Sequence, residues 1–434
     1  MNPEVEAPEA PVRIARTALR LLPLQALFRG GEAVLPLLLA AWFGRSMQTD
    51  VYYLLAAYFV FAASLLTGAF QDSAVVPVLI EVHGTHRAQF PQIAGALLGH
   101  TLAIGGALGA GMGAFAAVVA VGASPLRGLT LQLVLIMAIG MVATAVRAFY
   151  VGLLNARGLF HAHPVASGIG MGLTLLIIYL GRALGVTVIP LAMLAGETVA
   201  IALLMALARQ GLGLWIVPNL SRPEPVRRIF SLVRLEAAGQ LITRINPVID
   251  QLMAGMAAVV GGGTLLRYAT DVASLPTSIL QATVLPVFLT RVAQEARRPA
   301  EFLRTTLRTL IAAGAILTAL AAALGAFRIP LCRLFFLHGA MDEGGVLRIA
   351  AILPWALLGV APFGALLVLA RAHVAQQNSR IMPSMGILNS TLNAVFNLLF
   401  VRFLGLSGIA LSTSVTYLVV AVVFWVRLPR VVRA

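Results

Sequence analysis

The chain has 434 residues, of which 60% are hydrophobic and 11% charged, with a mean hydropathy of +0.94. A soluble domain carries about 25% charged residues, so the charge needed to coat a globule of this size is missing. One cysteine, Cys332, excludes an intramolecular disulfide and a cysteine metal cluster.

The first sixteen residues begin MNPEVEAPEAPV, acidic and proline-rich, without a basic stretch leading into a cleavage site. They are expected to form a disordered cytoplasmic tail and not a signal peptide. Apolar runs of roughly 20 residues or more follow, the length that ~30 Å of hydrocarbon demands of a helix. About twelve such spans can be placed, near 17–43, 50–80, 93–122, 128–154, 164–181, 186–208, 231–259, 264–290, 305–328, 346–370, 379–401 and 405–428. Only helices and closed barrels satisfy the backbone in lipid, and runs without period-2 alternation exclude the barrel. The expected fold is therefore all-α, a polytopic membrane protein of about twelve transmembrane helices.

The formal net charge of +15 is all arginine, with no lysine in the chain. A charge of that size invites a nucleic-acid reading, but its distribution points elsewhere. The N-terminal segment, the even-numbered loops and the C-terminus hold most of it, among them Arg87, Arg157, Arg227, Arg228, Arg297, Arg298 and Arg430. Under the positive-inside rule this places both termini in the cytoplasm. The charge encodes topology, and no nucleic-acid partner is implied.

The longest polar interval between spans is Arg209–Arg228, containing PNLSRPEPVRR. It divides the chain into an N-terminal six-helix lobe (17–208), a cytoplasmic linker (209–230) and a C-terminal six-helix lobe (231–434). AVVPVLIE (Ala74–Glu81) and ATVLPVFL (Ala282–Leu289) share a V-x-P-V core at matching places in the two halves. Two pseudo-symmetric lobes are expected, with a substrate site between repeats as in many transporters.

Polar residues inside the spans cluster. Span 1 carries Gln25, Arg29, Glu32 and Pro36 along one helical face. Span 2 begins at Asp50 and carries Thr67, Gln71 and Asp72; span 7 carries Glu236, Gln240, Thr243, Arg244, Asp250 and Gln251. Span 8 carries Asp271, Ser274, Ser278 and Gln281 at i, i+3, i+7 and i+10. A charge at mid-bilayer costs at least ~2.5–3.5 kcal/mol on insertion scales. Isolated ion pairs would not need Ser, Thr and Gln to continue the same stripes, so a shared aqueous cavity is the better account. Gly105, Gly109 and Gly113, and Gly168, Gly170 and Gly172, are expected to be helix-packing glycines. His83, His86, His161 and His163 lack carboxylate or cysteine neighbours for a metal site. Asn389, Asn393 and Asn397 form a ladder in span 11 that suits interhelical hydrogen bonding or a cation site. IPLCRLFFLHG (Ile329–Gly339) is amphipathic and is expected in the outer interface.

FGRSMQTDVYYLLAAYFVF (Phe43–Phe61) followed by TGAFQDSAVVPVLIE (Thr67–Glu81) resembles the span 1–2 region of the MviN/MurJ-type lipid II flippases. RYATDVASLPTSILQATVLPVF (Arg267–Phe288), LCRLFFLHGAMD (Leu331–Asp342) and NAVFNLLFVRFLGLSGIALSTSV (Asn393–Val415) continue the resemblance in the family's order. It places the chain in the multidrug/oligosaccharidyl-lipid/polysaccharide exporter superfamily as a divergent member. The resemblance implies two six-helix lobes with spans 1, 2, 7 and 8 lining a central cavity, and alternating access with arginines on the substrate pyrophosphate. Arg29 matches the first family arginine and Asp50 the aspartate of the family's TD pair. Other family arginines fall at Leu35, among Ala62 and Ala63, and at Asp271 here, and about twelve spans stand where the family has about fourteen.

The leading expectation is an alternating-access flippase for an undecaprenyl-linked glycan, lipid II or a related cell-envelope precursor, in the bacterial inner membrane. Arg29 and Arg244 would contact phosphates. Asp50, Asp72 and Asp271 would gate or contact sugar, with Gln25, Glu32 and Ser278 lining the same path. Asp250 with Asn393 would form a cation-coupling site. No tightly bound cofactor is expected, with coupling to the membrane potential or a monovalent cation. The partners expected are a lipid-linked oligosaccharide and the bilayer, with the protein a monomer. The alternative is a cation-coupled multidrug or small-metabolite exporter of the same fold. A membrane-embedded enzyme would need a sizeable extracytoplasmic loop with catalytic groups, and none is evident. A scaffold would not need a charged cavity.

Overall fold

A computed structural model describes residues 31, 34–67, 75–85, 89–119, 126–212, 215–230, 244–378 and 381–432. Every described element is helical. In chain order they are α1 (Val34–Phe43), α2 (Met47–Ser64), α3 (Val76–Thr85), α4 (Phe90–Val119), α5 (Arg127–Ala156), α6 (Ala162–Gly181) and α7 (Val188–Leu212). They continue with α8 (224–230), α9 (Asn246–Met256), α10 (Gly262–Glu295), α11 (Pro299–Ala326) and α12 (Arg328–Phe336). The last are α13 (Glu343–Leu357), α14 (Val360–Ala375), α15 (Ile381–Leu404) and α16 (Leu406–Val432).

Among the described residues eight helices are long and apolar enough to cross a membrane, or nine when α13 and α14 are taken as one span bent by 42°. One of these, Ala162–Gln210, is 49 residues long and holds two of the expected spans. The break falls at the 3₁₀ turn Arg182–Thr187, where Gly185 adopts φ 70°. Most of span 1, residues 68–74 of span 2 and the first half of span 7 lie outside the described residues. The fold is that of a polytopic, all-helical membrane protein.

Two compact units divide the chain, most of the first being built from α3–α8 and the second from α2 with α9–α16. In the first unit α6 and α7 pack face to face. Gly170 and Gly196 approach so closely there that a Cβ on Gly170 would stand 2.5 Å from the Gly196 carbonyl oxygen. Small residues of this kind let two backbones meet where lipid supplies no hydrophobic drive between helices. Gly105 and Gly109 meet Ala145 and Ala138 of α5, whereas Gly113, Gly168 and Gly172 face open space. Within the same unit residues 215–222 run over α4, with the Asn219 amide N–H donating to the Gly95 carbonyl at 3.0 Å. Arg228 completes the attachment by donating to both Glu81 carboxylate oxygens.

In the second unit α10 and α14 are surrounded by α11, α13 and α16, and α15 pairs with α16. Although it comes early in the chain, α2 packs on α9 and α10. The turn before it is tied to the turn before α13. Ala340 N–H donates to the Ala41 carbonyl at 2.7 Å, and Arg45 grips Asp342 with Nε and Nη2 at 2.9 and 3.0 Å. Asp342 is itself the N-cap of α13, accepting from the Gly345 amide. Glycines at 44 and 339, both near φ 60°, supply the left-handed backbone this clasp requires. The amphipathic segment of the sequence forms α12, which buries Cys332 and Phe336 and pairs Arg333 with Glu343 of α13.

Candidate functional site

Asp250 is the carboxylate around which the second unit is organised. It projects from α9, accepts from Asn393 Nδ2 at 2.8 Å and Asn397 Nδ2 at 2.7 Å, and receives the Thr413 hydroxyl at 3.2 Å. Asn393 and Asn397 are fully buried one helical turn apart on α15, so both amides reach the same carboxylate. Thr413 comes from α16, and the Ser412 hydroxyl fixes Asn393 by donating to its carbonyl at 3.1 Å. Hydrogen bonds to a charged group are worth about 1.5–3 kcal/mol each. Three of them offset the several kcal/mol that isolating this carboxylate from water costs.

Asp250 opens onto a cavity of about 200 Å³ in the second unit, lined in part by Gln251, Arg267, Thr270, Ser274, Thr277, Thr413 and Tyr417. Pockets that enclose drug-sized molecules run from about 300 Å³ upward, so this space is of the size of an ion or a phosphate group. Arg267 Nε donates to Asp271 at 3.0 Å, the i, i+4 pair that leaves both groups on one face of α10. The cavity thus holds a cation-attracting carboxylate on α9 and a guanidinium on α10.

Around Asp250 both asparagines present amide N–H donors, while Asn393 Oδ1 accepts from Thr413 at 3.2 Å and Asn397 Oδ1 is buried without a hydrogen-bond partner.

The remaining site residues expected from sequence distribute differently. Asp50 stands in the first turn of α2, and its carboxylate accepts the Thr264 amide at 2.8 Å and the Thr264 hydroxyl at 2.9 Å. The N-cap of α10, Gly261, has no side chain to satisfy the helix's free amides, so Asp50 caps α10 from another helix. Arg244 lies exposed just before α9, and Ser278 is exposed on α10 with its hydroxyl returned to Ser274 O at 3.1 Å. Gln25, Arg29, Glu32 and Asp72 lie outside the described residues. Asp250 and Asn393 are brought together, as their pairing in the sequence reading expected.

Three participants in the Asp250 site, Asn397, Thr413 and Arg267, were not selected from the sequence. Asn397 stood in the asparagine ladder, but nothing local distinguishes it from Asn389, which lies outside the hydrogen bonds to Asp250. Arg267 was visible as the i−4 neighbour of Asp271. In the first unit Arg147 Nε meets Glu197 Oε1 at 2.6 Å between α5 and α7, two spans whose isolated charges gave no stripe.

The sequence matches the family model for the lipid II flippase MurJ over residues 39–434. The chain belongs to the MurJ lipid II flippase family. A solved lipid II flippase MurJ in an inward closed conformation aligns with a TM-score of 0.79 at 18% identity, covering 94% of this chain and 86% of that one. Multidrug resistance MATE family transporters of the MOP superfamily align too. An inward-facing one gives a TM-score of 0.72 at 15% identity, covering 94% of this chain and 96% of that one. An outward-facing one gives 0.64 at 13% identity, with 96% of each chain covered. No curated protein sequence matches the chain. The MurJ resemblance met first in the sequence is thus established at the level of family and fold.

Proposed function

We propose that this MurJ-family protein moves an undecaprenyl-linked glycan precursor, lipid II or a related cell-envelope glycolipid, across the bacterial inner membrane by alternating access, acting as a monomer with both termini cytoplasmic. The family match over residues 39–434 carries this reading. The cavity supports a division of labour within it. Arg267, one turn from the family's arginine position at Asp271, supplies a positive charge for a phosphate once Asp271 releases it. Arg29 and Arg244 remain candidates for a second phosphate contact, and Gln25, Glu32, Asp72 and Ser278 for the cargo path. Asp250, Asn393, Asn397 and Thr413 would hold a monovalent cation, whose charge would neutralise Asp250 and stiffen the junction of α9, α15 and α16. Asp50, by capping α10, holds α2 against it, and release of that cap is the gating step open to this chain.

A second reading, a cation-coupled exporter of small organic molecules, is favoured by the ion-sized cavity and by the MATE-like fold. Depletion of the protein separates the two. Accumulation of a lipid-linked glycan on the cytoplasmic leaflet, rescued by wild type but not by an Arg29→Ala/Arg267→Gln double variant, is the expected result. Normal glycolipid levels with rising retention of organic cations would support the exporter instead.

A further inference from the structure

A second cavity, of about 370 Å³, lies in the second unit between α10 and α11, away from Asp250. Its floor is Leu280, Ala313 and Leu317, and its rim Ile279, Ile316 and Leu320, so the walls are apolar. Pro276, one of two prolines inside α10, contributes to the wall. One end of the groove is closed by a single charge, Arg308 of α11. From Arg308 to Leu320 the groove follows α11 for about 18 Å at 1.5 Å per residue, slightly more than one leaflet's share of the ~30 Å hydrocarbon core.

Arg308 is exposed inside a span, two turns past the start of α11. The ion pairs among the described residues do not include it. The neighbouring arginines at 291 and 298 are taken up by Glu295 and Glu301, but Arg297 and Arg304 add further positive charge at the same end. An arginine inside a span is costly to retain unless an anion meets it. By the positive-inside rule the 296–298 turn faces the cytoplasm, where the leaflet presents anionic phospholipid, and basic pockets between helices on that side hold such headgroups.

We propose that this groove binds an anionic phospholipid of the cytoplasmic leaflet, its phosphate on Arg308 and one acyl chain laid along Ile279, Ile316 and Leu320. The bound lipid fills the space between α10 and α11. The site is separate from the Asp250 cavity, so it does not depend on which cargo the protein moves.

The test uses the full chain in phosphatidylcholine vesicles doped with phosphatidylglycerol that carries a photoactivatable group in its acyl chain. Cross-links are expected in the peptides containing Ile279, Ile316 and Leu320, competed by unlabelled phosphatidylglycerol and not by phosphatidylcholine. Arg308→Gln should weaken capture about fivefold, the effect of one arginine at an anionic surface. Arg308→Lys should restore most of it, and Ala312→Phe, which fills the groove, should remove the Ile316 cross-link. Labelling spread evenly around the second unit, or unchanged in Arg308→Gln, would overturn the proposal. So would competition by a polyprenyl phosphate far better than by phosphatidylglycerol, which would make the groove a cargo-tail site.

Discussion

Asp250 lies inside α9 and Asp50 in the first turn of α2, and their neighbours give the two carboxylates different work. Asp50 has one strong commitment, to the amide end of α10. Asp250 is shared among three side chains from two helices, one of which keeps an unpartnered oxygen in reserve. Asp250→Asn is therefore expected to preserve folding while removing stabilisation by a monovalent cation. Thermal melts in sodium and in choline would show this as a cation-dependent shift in wild type and none in the variant; an equal shift in both would contradict the site. The Asp342 clasp yields a pH prediction. The Arg45 hydrogen bond holds the Asp342 carboxyl down at about 2, from an ordinary 3.8, against a smaller opposing effect of burial. A depressed folded-state value contributes stability above the unfolded value, and that stability is lost as pH falls through the folded one. The gap in stability between wild type and Asp342→Asn, of order 1 kcal/mol or less for so exposed a pair, should be full at neutral pH and close toward pH 2. A gap independent of pH would show that the clasp works by shape alone. Sequence revealed Asp250 and Asn393 as polar residues in apolar spans, because insertion cost makes such residues conspicuous. Asn397 was no more conspicuous than Asn389, since only the crossing of α9 over α15, 147 residues apart in sequence, tells them apart.

At the scale of elements, α4 shows how glycine position carries meaning that glycine count does not. Gly95 and Gly99 face the segment of residues 215–222, whose Val217 and Asn219 carbonyls occupy the space a side chain would need. Gly106, in the same helix, faces nothing within 4 Å. Gly95→Leu should loosen the 215–222 segment and cost about 1–3 kcal/mol, the usual penalty for overpacking. Gly106→Ala should be neutral or slightly stabilising, because a helix interior prefers alanine. Limited proteolysis between Trp215 and Arg222 checks both; equal cleavage in the two variants would contradict the packing. Helix existence was legible from apolar run length for nearly every described span. The break at Arg182–Thr187 falls where spans 164–181 and 186–208 were expected to part, whereas the 42° bend between α13 and α14, with Pro354 and Gly359 near it, lies inside a run that hydropathy alone takes as straight.

For the whole molecule, one of the motifs that made the MurJ family legible lies at a turn, where backbone geometry restricts residue choice: the FGR-S-M-x-TD turn sets the Arg45 clasp and the Asp50 cap together. The charge arrangement was less legible, because only the packed helices show that Arg267, one turn before Asp271, lines the same cavity as Asp250. The measurement that tests the account most directly is translocation by the purified full chain in vesicles, with a fluorescent undecaprenyl-linked disaccharide and a soluble organic cation offered in parallel. The account predicts that the lipid-linked sugar crosses the bilayer in a protein-dependent way, faster with sodium than with choline, and that Asp250→Asn abolishes the sodium effect. Transport of the organic cation with no movement of the lipid-linked sugar would contradict it.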